Sequence, residues 1–208
     1  NTIKVIPNFI DIEKYSKVKR NPYRSKLCPK GERLLIHTSN FRKVKRIQDV
    51  INVFCKINKE IPSKLIMIGD GPERANIESL TRSLCSLRDV MFIGKIPDVE
   101  TVLYKADLFL LTSEKESFGL SALEAMASSV PVISSNAGGL PELVEEGISG
   151  FTCDIGDVNS MSENAIKVLD KKNLSVFKEN ALRIANNYDI NIIIPKYVEF
   201  YKNILNKG

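Results

Sequence analysis

Short continuous runs of aliphatic residues alternate with longer segments of helical periodicity along the chain. The aliphatic runs predict six strands, the second and fifth running into glycine turns, over residues 33–39, 63–71, 89–96, 107–113, 130–139 and 150–154. Apolar residues at helical spacing predict helices over residues 46–58, 72–87, 98–106, 118–128, 140–147, 157–170, 172–187 and 192–205.

This alternation predicts the fold class. Strands made of continuous aliphatics are typical of a parallel sheet that is covered by helices on both faces. We therefore expect an α/β domain, a doubly wound parallel six-stranded sheet. Such sheets bind ligands in crevices at the carboxyl ends of their strands, so the turns that follow the strands are the places to look for function.

Composition and charge narrow the class of ligand only slightly. The chain has 208 residues, is 43% hydrophobic and 26% charged, and these fractions are ordinary for a soluble globular protein. Its net charge of +5 suits an anionic small ligand as well as a nucleic acid. There is no tryptophan, and platforms for stacking nucleic-acid bases are not indicated.

The four cysteines, Cys28, Cys55, Cys85 and Cys153, lie far apart, without C-x-x-C spacing. We expect them to be buried thiols in a reducing cytosol, and hence a cytoplasmic protein. No apolar run approaches the ~20 residues of a membrane span. His37, the only histidine, lies within the first strand, so we expect a satisfied core histidine and no transition-metal site.

The turn after the first strand, SNFRKVKR, carries the basic residues Arg42, Lys43, Lys45 and Arg46 ahead of a helix. Cations are unfavourable at the start of a helix, because the helix dipole is positive there. One interpretation of these four residues is simply a solvated basic turn. The functional interpretation is a phosphate site made of basic side chains and free helix N–H groups. A nuclear-localisation or RNA-binding patch also fits four basic residues in this spacing.

The turns after three other strands are less specific. GDGPE after the second strand lacks the G-x-G-x-x-G spacing and favours a tight turn into a helix that begins with a proline. Lys95 in GKIP is by default an exposed lysine at a strand end. NAGGLPE after the fifth strand has two glycines, which allow close approach to the backbone.

The fourth strand runs into SEKESFGLSALEAMA, where Ser117 is a candidate cap for a helix. The first free N–H groups of that helix are expected from Phe118, Gly119 and Leu120. Glycine is unfavourable in a first helical turn, unless a ligand must approach the backbone closely. A diphosphate would suit this position.

Three glutamates accompany that helix start. Acidic residues favour first turns, which accounts for Glu114 and Glu116 but not for Glu124, about two turns later among small apolar residues. A glycosidase-type pair would need two carboxylates flanking one bond, roughly 5 Å or 6.5–9.5 Å apart. We favour separate roles, with Glu116 and Glu124 on either side of a bound anion and Glu114 solvated.

Taken together, these strings resemble a known family. The E-x7-E spacing of Glu116 and Glu124 resembles the motif of retaining glycosyltransferases of the GT-B fold, the glycogen-synthase-like group. VIPNFID resembles the segment that joins the two domains of such enzymes. SNFRKVKR, IGDGPER, ESFGLSALEAMA and NAGGLPELVEEGISGF together resemble the branch of N-acetylglucosaminyl L-malate synthases, which begin bacillithiol biosynthesis.

The resemblance implies a role for each candidate residue. Glu116, Lys45 and Arg42 would be catalytic, with Lys45 neutralising the donor diphosphate and Glu116 contacting the donor sugar. Asn40 stands where most of the family has an arginine, and Arg42 is the candidate to compensate. Glu124 would accept hydrogen bonds from the ribose. The remaining implied donor-binding residues are Asn40, Gly71, Lys95, Ile96, Ser117, Phe118, Gly119 and Leu120, with Lys95 and Ile96 beside the uracil.

The resemblance also implies the reaction. The donor would be UDP-N-acetylglucosamine and the acceptor L-malate, with retention of configuration and without a covalent nucleophile, a cofactor or a metal. Two alternatives stay open, a retaining glycosyltransferase of glycan synthesis with another acceptor and a non-catalytic nucleotide-sugar binding module. The family gives no reason to expect a nucleic-acid partner, and a homo-oligomer is compatible with the sequence.

The domain organisation follows from the same resemblance. Residues 1–12 would be an interdomain linker, and residues 13–208 the donor-binding domain, including a C-terminal helix over 189–206. The N-terminal acceptor domain is expected to precede this chain, so the isolated fragment is expected to be inactive. After the helix that contains Glu124, the family usually reads C-G-x-P-V, and Ser129 stands here at the position of the glycine. A left-handed backbone at Ser129 would cost roughly 1–2 kcal/mol.

Overall fold

The computed structural model describes residues 3–16, 23–85 and 88–205. The strands are β1 (Arg33–Thr38), β2 (Ser63–Ile68), β3 (Val90–Gly94), β4 (Leu108–Leu111), β5 (Val132–Ser135) and β6 (Gly150–Cys153). The helices are α1 (Ile12–Ser16), α2 (Tyr23–Leu27), α3 (Ile47–Glu60), α4 (Arg74–Leu84), α5 (Glu100–Leu103), α6 (Leu120–Ala127), α7 (Leu140–Leu143), α8 (Val158–Leu169), α9 (Leu174–Ala185) and α10 (Ile190–Leu205). Two 3₁₀ turns cover Lys43–Lys45 and Asn186–Tyr188.

The strands form one parallel sheet of six strands in the order β3-β2-β1-β4-β5-β6. Leu35 of β1 lies opposite Leu65 of β2 on one side and opposite Leu108 of β4 on the other. The chain builds the sheet outward from β1 in one direction and then from β4 in the other. The order therefore reverses between β1 and β4, which is where doubly wound sheets open a ligand crevice. The predicted fold class is confirmed.

Both faces of the sheet are buried, which explains the continuous aliphatic strands. Leu34 and Ile36 face one core, together with side chains from α1, α5, α6 and α7. Leu35 faces a second core, together with side chains from α3, α4 and α8, and α9 contributes to both cores. Each large side chain that is fully removed from water stabilises the fold by about 1.5–3 kcal/mol before entropy is counted.

Several element ends differ from the predicted ones. The second strand ends at Ile68, ahead of the glycine turn, and α6 begins at Leu120 rather than at residue 118. The short helices α1 and α2 were not predicted, since five residues are too few to display a helical period. The last residues of the predicted helix 72–87 and residue 206 lie outside the described residues.

Two of the four cysteines correct the expectation of free thiols. Cys55 in α3 and Cys85, just after α4, form a disulfide with their Cα atoms 5.9 Å apart, and both are half-buried. Because they are 30 residues apart, the sequence did not reveal that α3 and α4 pack side by side. Cys28 and Cys153 are buried free thiols, as expected, and burial raises the pKa of each.

The amino-terminal segment is bound to the carboxyl-terminal part of the domain. Ile10 pairs with Asp189 in a parallel bridge, and Ile10 and Ile12 are both buried in the first core. The predicted linker boundary at residue 12 therefore falls on the first residue of α1. Among the described helices, none has both the length and the apolar character needed to cross a membrane.

Candidate functional site

The turn after β1 and the loop after β4 meet at the reversal of strand order. The hydroxyl of Thr112 donates to the carbonyl oxygens of Lys45 and Arg46, at 3.1 and 2.9 Å. The N–H of Glu114 donates to the carbonyl oxygen of Val44 at 2.7 Å. These bonds fix the basic turn against the acidic loop, so that side chains far apart in sequence share one surface.

Lys45 and Glu116 form an ion pair across this junction. Their side chains are only 18% and 13% exposed, respectively. The hydroxyl of Ser113 donates to the same Glu116 oxygen, Oε1, at 3.1 Å and fixes the carboxylate from the strand side. Because water is partly excluded, the attraction is stronger than in a fully exposed pair. The sequence-predicted catalytic residues Lys45 and Glu116 are therefore in contact.

The structure separates the four basic residues of the turn. Arg42 and Lys43 are exposed, and neither has an ion pair within the described part of the chain. Arg46 has a left-handed backbone, φ 46°, and its Nε donates to Oδ2 of the buried Asp49 at 2.7 Å. The third predicted catalytic residue, Arg42, thus lies in the same turn as Lys45 but points to no protein partner there.

The helix α6 begins differently from the prediction. Ser117 is exposed and does not cap the helix; Gly119 occupies the cap position with φ 91°. A side chain at Gly119 would also meet Cδ2 of Leu140 at 2.5 Å, so both the dihedral and the packing require glycine. Among the described residues, no acceptor bonds to the N–H groups of Phe118, Gly119 or Leu120. These donors and the helix dipole form a ready site for an anion.

The glycines of the loop after β5 pack against the backbone of the loop that carries Glu116. A Cβ atom on Gly138 would overlap the carbonyl oxygen of Glu116, and one on Gly139 would lie 2.8 Å from that of Ser117. The hydroxyl of Ser135, at the end of β5, donates to the carbonyl oxygen of Ser113. The glycines were predicted to permit close backbone approach, and the backbone that approaches is the Glu116 loop itself.

Glu124 lies in α6, beside the stripe of core residues, and is half-buried. Its Oε1 accepts a hydrogen bond of 3.0 Å from the hydroxyl of Tyr15 in α1. Burial raises the pKa of the Glu124 carboxyl, and the nearby Glu100 raises it further, while Tyr15 and Lys14 act in the opposite direction. The sequence did not identify Tyr15, because no local pattern links it to a residue 109 positions later.

The other predicted donor-binding residues lie on neighbouring turns. Gly71 packs against the backbone of exposed Asn40, and a Cβ atom at Gly71 would lie 2.9 Å from the carbonyl oxygen of Phe41. Lys95 follows β3 and is exposed, whereas Ile96 is half-buried against the first core. Within the described residues, no ion pair or hydrogen bond joins Lys95 to Lys45 or Glu116.

His37 is a satisfied core residue, as predicted. It is fully buried, its Nδ1 lies 2.8 Å from the carbonyl oxygen of Leu110, and its Nε2 lies 2.8 Å from the hydroxyl of Ser39. A carbonyl only accepts, so Nδ1–H donates and Nε2 accepts the Ser39 proton. Burial lowers the pKa of His37 to about 4, and the ring is neutral. In the described residues, no three His, Cys, Asp or Glu side chains are grouped to hold a metal ion.

The chain is similar in sequence to known proteins. A sequence profile described as "Glycosyl transferases group 1" matches residues 19–187. The chain is 39% identical over 206 residues to N-acetyl-alpha-D-glucosaminyl L-malate synthase of Bacillus anthracis, covering 98% of this chain and 54% of that protein. It is 28% identical over 204 residues to glycogen synthase of Mycobacterium tuberculosis, covering 96% of this chain and 48% of that protein.

The fold is also found in solved structures. The crystal structure of Anabaena HepE in complex with UDP superposes with a TM-score of 0.85 at 26% identity, covering 96% of this chain and 57% of that one. The chain spans about half the length of the curated relatives it matches. By the extent of the profile match and by its relatives, the chain belongs to the glycosyl transferases group 1 family.

Proposed function

We propose that this chain is the donor-binding part of a retaining glycosyltransferase that transfers N-acetylglucosamine from UDP-N-acetylglucosamine to L-malate. The donor would occupy the crevice between the carboxyl ends of β1 and β4. Its diphosphate would lie on the start of α6, its sugar beside Glu116 and its ribose beside Glu124.

The observation that carries the proposal is that Lys45 pairs with Glu116, just ahead of N–H groups at the start of α6 that bond to no acceptor among the described residues. Lys45 lies on the β1 turn and the N–H groups of Phe118, Gly119 and Leu120 lie on the β4 loop, joined through the Lys45–Glu116 pair. A diphosphate offers several acceptor oxygens and a negative charge, which match a cation and free N–H donors. Exposed Arg42 and Lys43 add positive potential at the same edge.

The comparisons support a uridine nucleotide as the ligand. HepE, whose structure superposes on 96% of this chain, was crystallised with UDP and, in another structure, with UDP and glucose. The 39% identity to the N-acetyl-alpha-D-glucosaminyl L-malate synthase of Bacillus anthracis supports N-acetylglucosamine as the donor sugar and malate as the acceptor. By analogy, Lys95 and Ile96 would flank the uracil, and Asn40 and Gly71 would line the phosphate side of the crevice.

Calorimetry of the 208-residue chain with UDP tests the donor site. We expect binding that Lys45→Ala weakens by roughly tenfold or more, since a charged hydrogen bond contributes about 1.5–3 kcal/mol. Glu124→Ala should weaken it as well. Lys59→Ala is the matched control, because Lys59 is exposed in the last turn of α3, away from the basic turn that precedes this helix. A folded chain that binds no UDP at millimolar concentration contradicts the proposal.

The proposed acceptor is tested with the protein that the complete reading frame encodes. That protein, incubated with UDP-N-acetylglucosamine and L-malate, should release UDP and form an α-configured glycoside, whose anomeric configuration NMR would establish. Turnover with a saccharide instead of malate would favour the alternative acceptor, as in the glycogen synthase relative. UDP binding without turnover of any acceptor would favour a nucleotide-sugar binding module.

A further inference from the structure

A buried tyrosine supports the glutamate that is expected to contact the ribose. Tyr15 is only 7% exposed, and its ring lies in the first core among residues of α6 and its neighbours. Its hydroxyl donates to Oε1 of Glu124 at 3.0 Å. Phenylalanine would fill the same space, so the hydroxyl contributes this hydrogen bond and not the packing.

The segment that carries the tyrosine is bonded to the rest of the domain at several of its residues. Ile10 exchanges backbone hydrogen bonds with the chain around Tyr188 and Ile190, at 2.9 and 2.8 Å. The N–H of Ile12 donates to Oδ2 of Asp189 at 3.3 Å, and Lys14 forms a 3.5 Å ion pair with Glu100. Tyr15 is therefore a donor on a segment that hydrogen bonds hold against the chain around Asp189.

Glu124 depends on this donor. Within the described residues, Tyr15 is the one protein group that donates a hydrogen bond to the Glu124 carboxylate. Burial and the neighbouring Glu100 disfavour the charged form, whereas the Tyr15 hydroxyl and the Lys14 cation favour it. An ionised carboxylate with one oxygen bound by Tyr15 keeps further lone pairs that can accept hydrogen bonds.

We propose that Tyr15 is a positioning residue, which orients the Glu124 carboxylate to accept hydrogen bonds from the ribose hydroxyls of the donor nucleotide. This inference rests on the proposed function, since it assumes that a uridine nucleotide occupies the crevice. It assigns to the segment before the main sheet a part in ligand recognition, through a contact that spans 109 positions of the chain.

The test compares two ligands, UDP and 2′,3′-dideoxy-UDP, on two variants, Tyr15→Phe and Tyr197→Phe. Tyr197, in the terminal helix α10, is the matched control, because its hydroxyl also donates a hydrogen bond, at 3.4 Å to the carbonyl oxygen of Ile6. Calorimetry gives the affinities, and circular dichroism with thermal melting reports the fold. We expect Tyr15→Phe to weaken UDP roughly five- to twentyfold, the range of one hydrogen bond to a charged group. Dideoxy-UDP should bind both variants and the unmodified chain alike.

A double-variant cycle with Glu124→Ala, which removes the acceptor of the Tyr15 hydrogen bond, provides a second readout. If Tyr15 acts through Glu124, Tyr15→Phe should have little further effect once Glu124 is replaced. Additive losses would overturn the inference, as would equal weakening of UDP and dideoxy-UDP, which indicates a general structural effect. If Tyr15→Phe leaves UDP binding unchanged, the role of Tyr15 is overturned and the proposed function is not. If the unmodified chain fails to bind UDP, the proposed function is overturned as well.

Discussion

The ammonium group of Lys45 and the carboxylate of Glu116 form an ion pair that joins the ends of β1 and β4, at the reversal of the sheet order. The two residues are 71 positions apart, and each is less than one-fifth exposed. In the proposed donor complex, the diphosphate competes with Glu116 for Lys45. The pair therefore keeps the cation in place before the ligand arrives, at some cost in affinity for the diphosphate alone.

Replacement of Glu116 should separate the nucleotide from the sugar. We expect Glu116→Gln to raise the affinity for UDP by up to about fivefold, because a partly exposed ion pair of up to ~1 kcal/mol no longer competes. UDP-N-acetylglucosamine should not gain equally, because the sugar loses a charged acceptor. Calorimetry with both ligands measures the ratio of their affinities. Glu114→Gln is the control, with the same charge change at an exposed neighbouring site. Equal changes for both ligands would contradict separate roles.

Gly138 should be essential to the geometry of the Glu116 loop. It has φ 55°, and a Cβ atom there would overlap the carbonyl oxygen of Glu116. We expect Gly138→Ala to lower the free energy of unfolding by several kcal/mol, since dihedral strain and overlap combine, and to weaken UDP binding. Urea denaturation measures the first effect. Gly31→Ala is the control, with φ 79° and open space around the added carbon, and should cost only about 1 kcal/mol.

The parallel sheet could be predicted from the sequence, because strands buried on both faces consist of continuous aliphatic runs, whereas its strand order was not predicted. Leu34, Leu35 and Ile36 illustrate this, since neighbouring residues enter opposite cores and none can be polar. The boundary of α6 was less accessible. Gly119 was placed in its first turn, whereas its left-handed backbone makes it the cap, and a sequence pattern does not report the sign of φ.

The features that the sequence did not predict depend on contacts between segments that are far apart in the chain. Lys45 and Glu116 were each predicted as site residues because they belong to motifs at strand ends, but the ion pair between them was not predicted. The bond from Tyr15 to Glu124 was not predicted either, because α1 shows no periodicity and docks through tertiary packing. The disulfide between Cys55 and Cys85 was missed for the same reason, since it depends on how α3 and α4 lie against each other.

Ser129 should be a site for simple stabilisation. It has the left-handed backbone that the sequence suggested, with φ 60°, directly after α6. Glycine adopts this conformation without a Cβ clash, so Ser129→Gly should raise the free energy of unfolding by about 1 kcal/mol. Ser129→Ala is the control, because it keeps the Cβ atom and the strain, and it should leave stability nearly unchanged. Stabilisation of both variants would show that the hydroxyl, not the dihedral, is unfavourable.

The stability of the chain should fall between neutral and acidic pH through its single histidine. Burial lowers the pKa of His37 from 6.5 to about 4 in the folded chain. Between these values the unfolded chain binds a proton that the folded chain does not. The free energy of unfolding is therefore highest above pH 6.5 and falls by about 3 kcal/mol as the pH decreases to about 4.

Urea denaturation at several pH values between 7 and 4.5 measures this dependence. Glu124, whose folded pKa is raised, acts in the opposite direction, so the comparison must be made against a variant. His37→Gln retains an amide donor and an acceptor but does not titrate. We expect it to lower stability at pH 7 and to lose the acid-dependent decrease that the unmodified chain has. An equal decrease in the variant would assign the pH dependence to carboxyl groups and would contradict a neutral, buried His37.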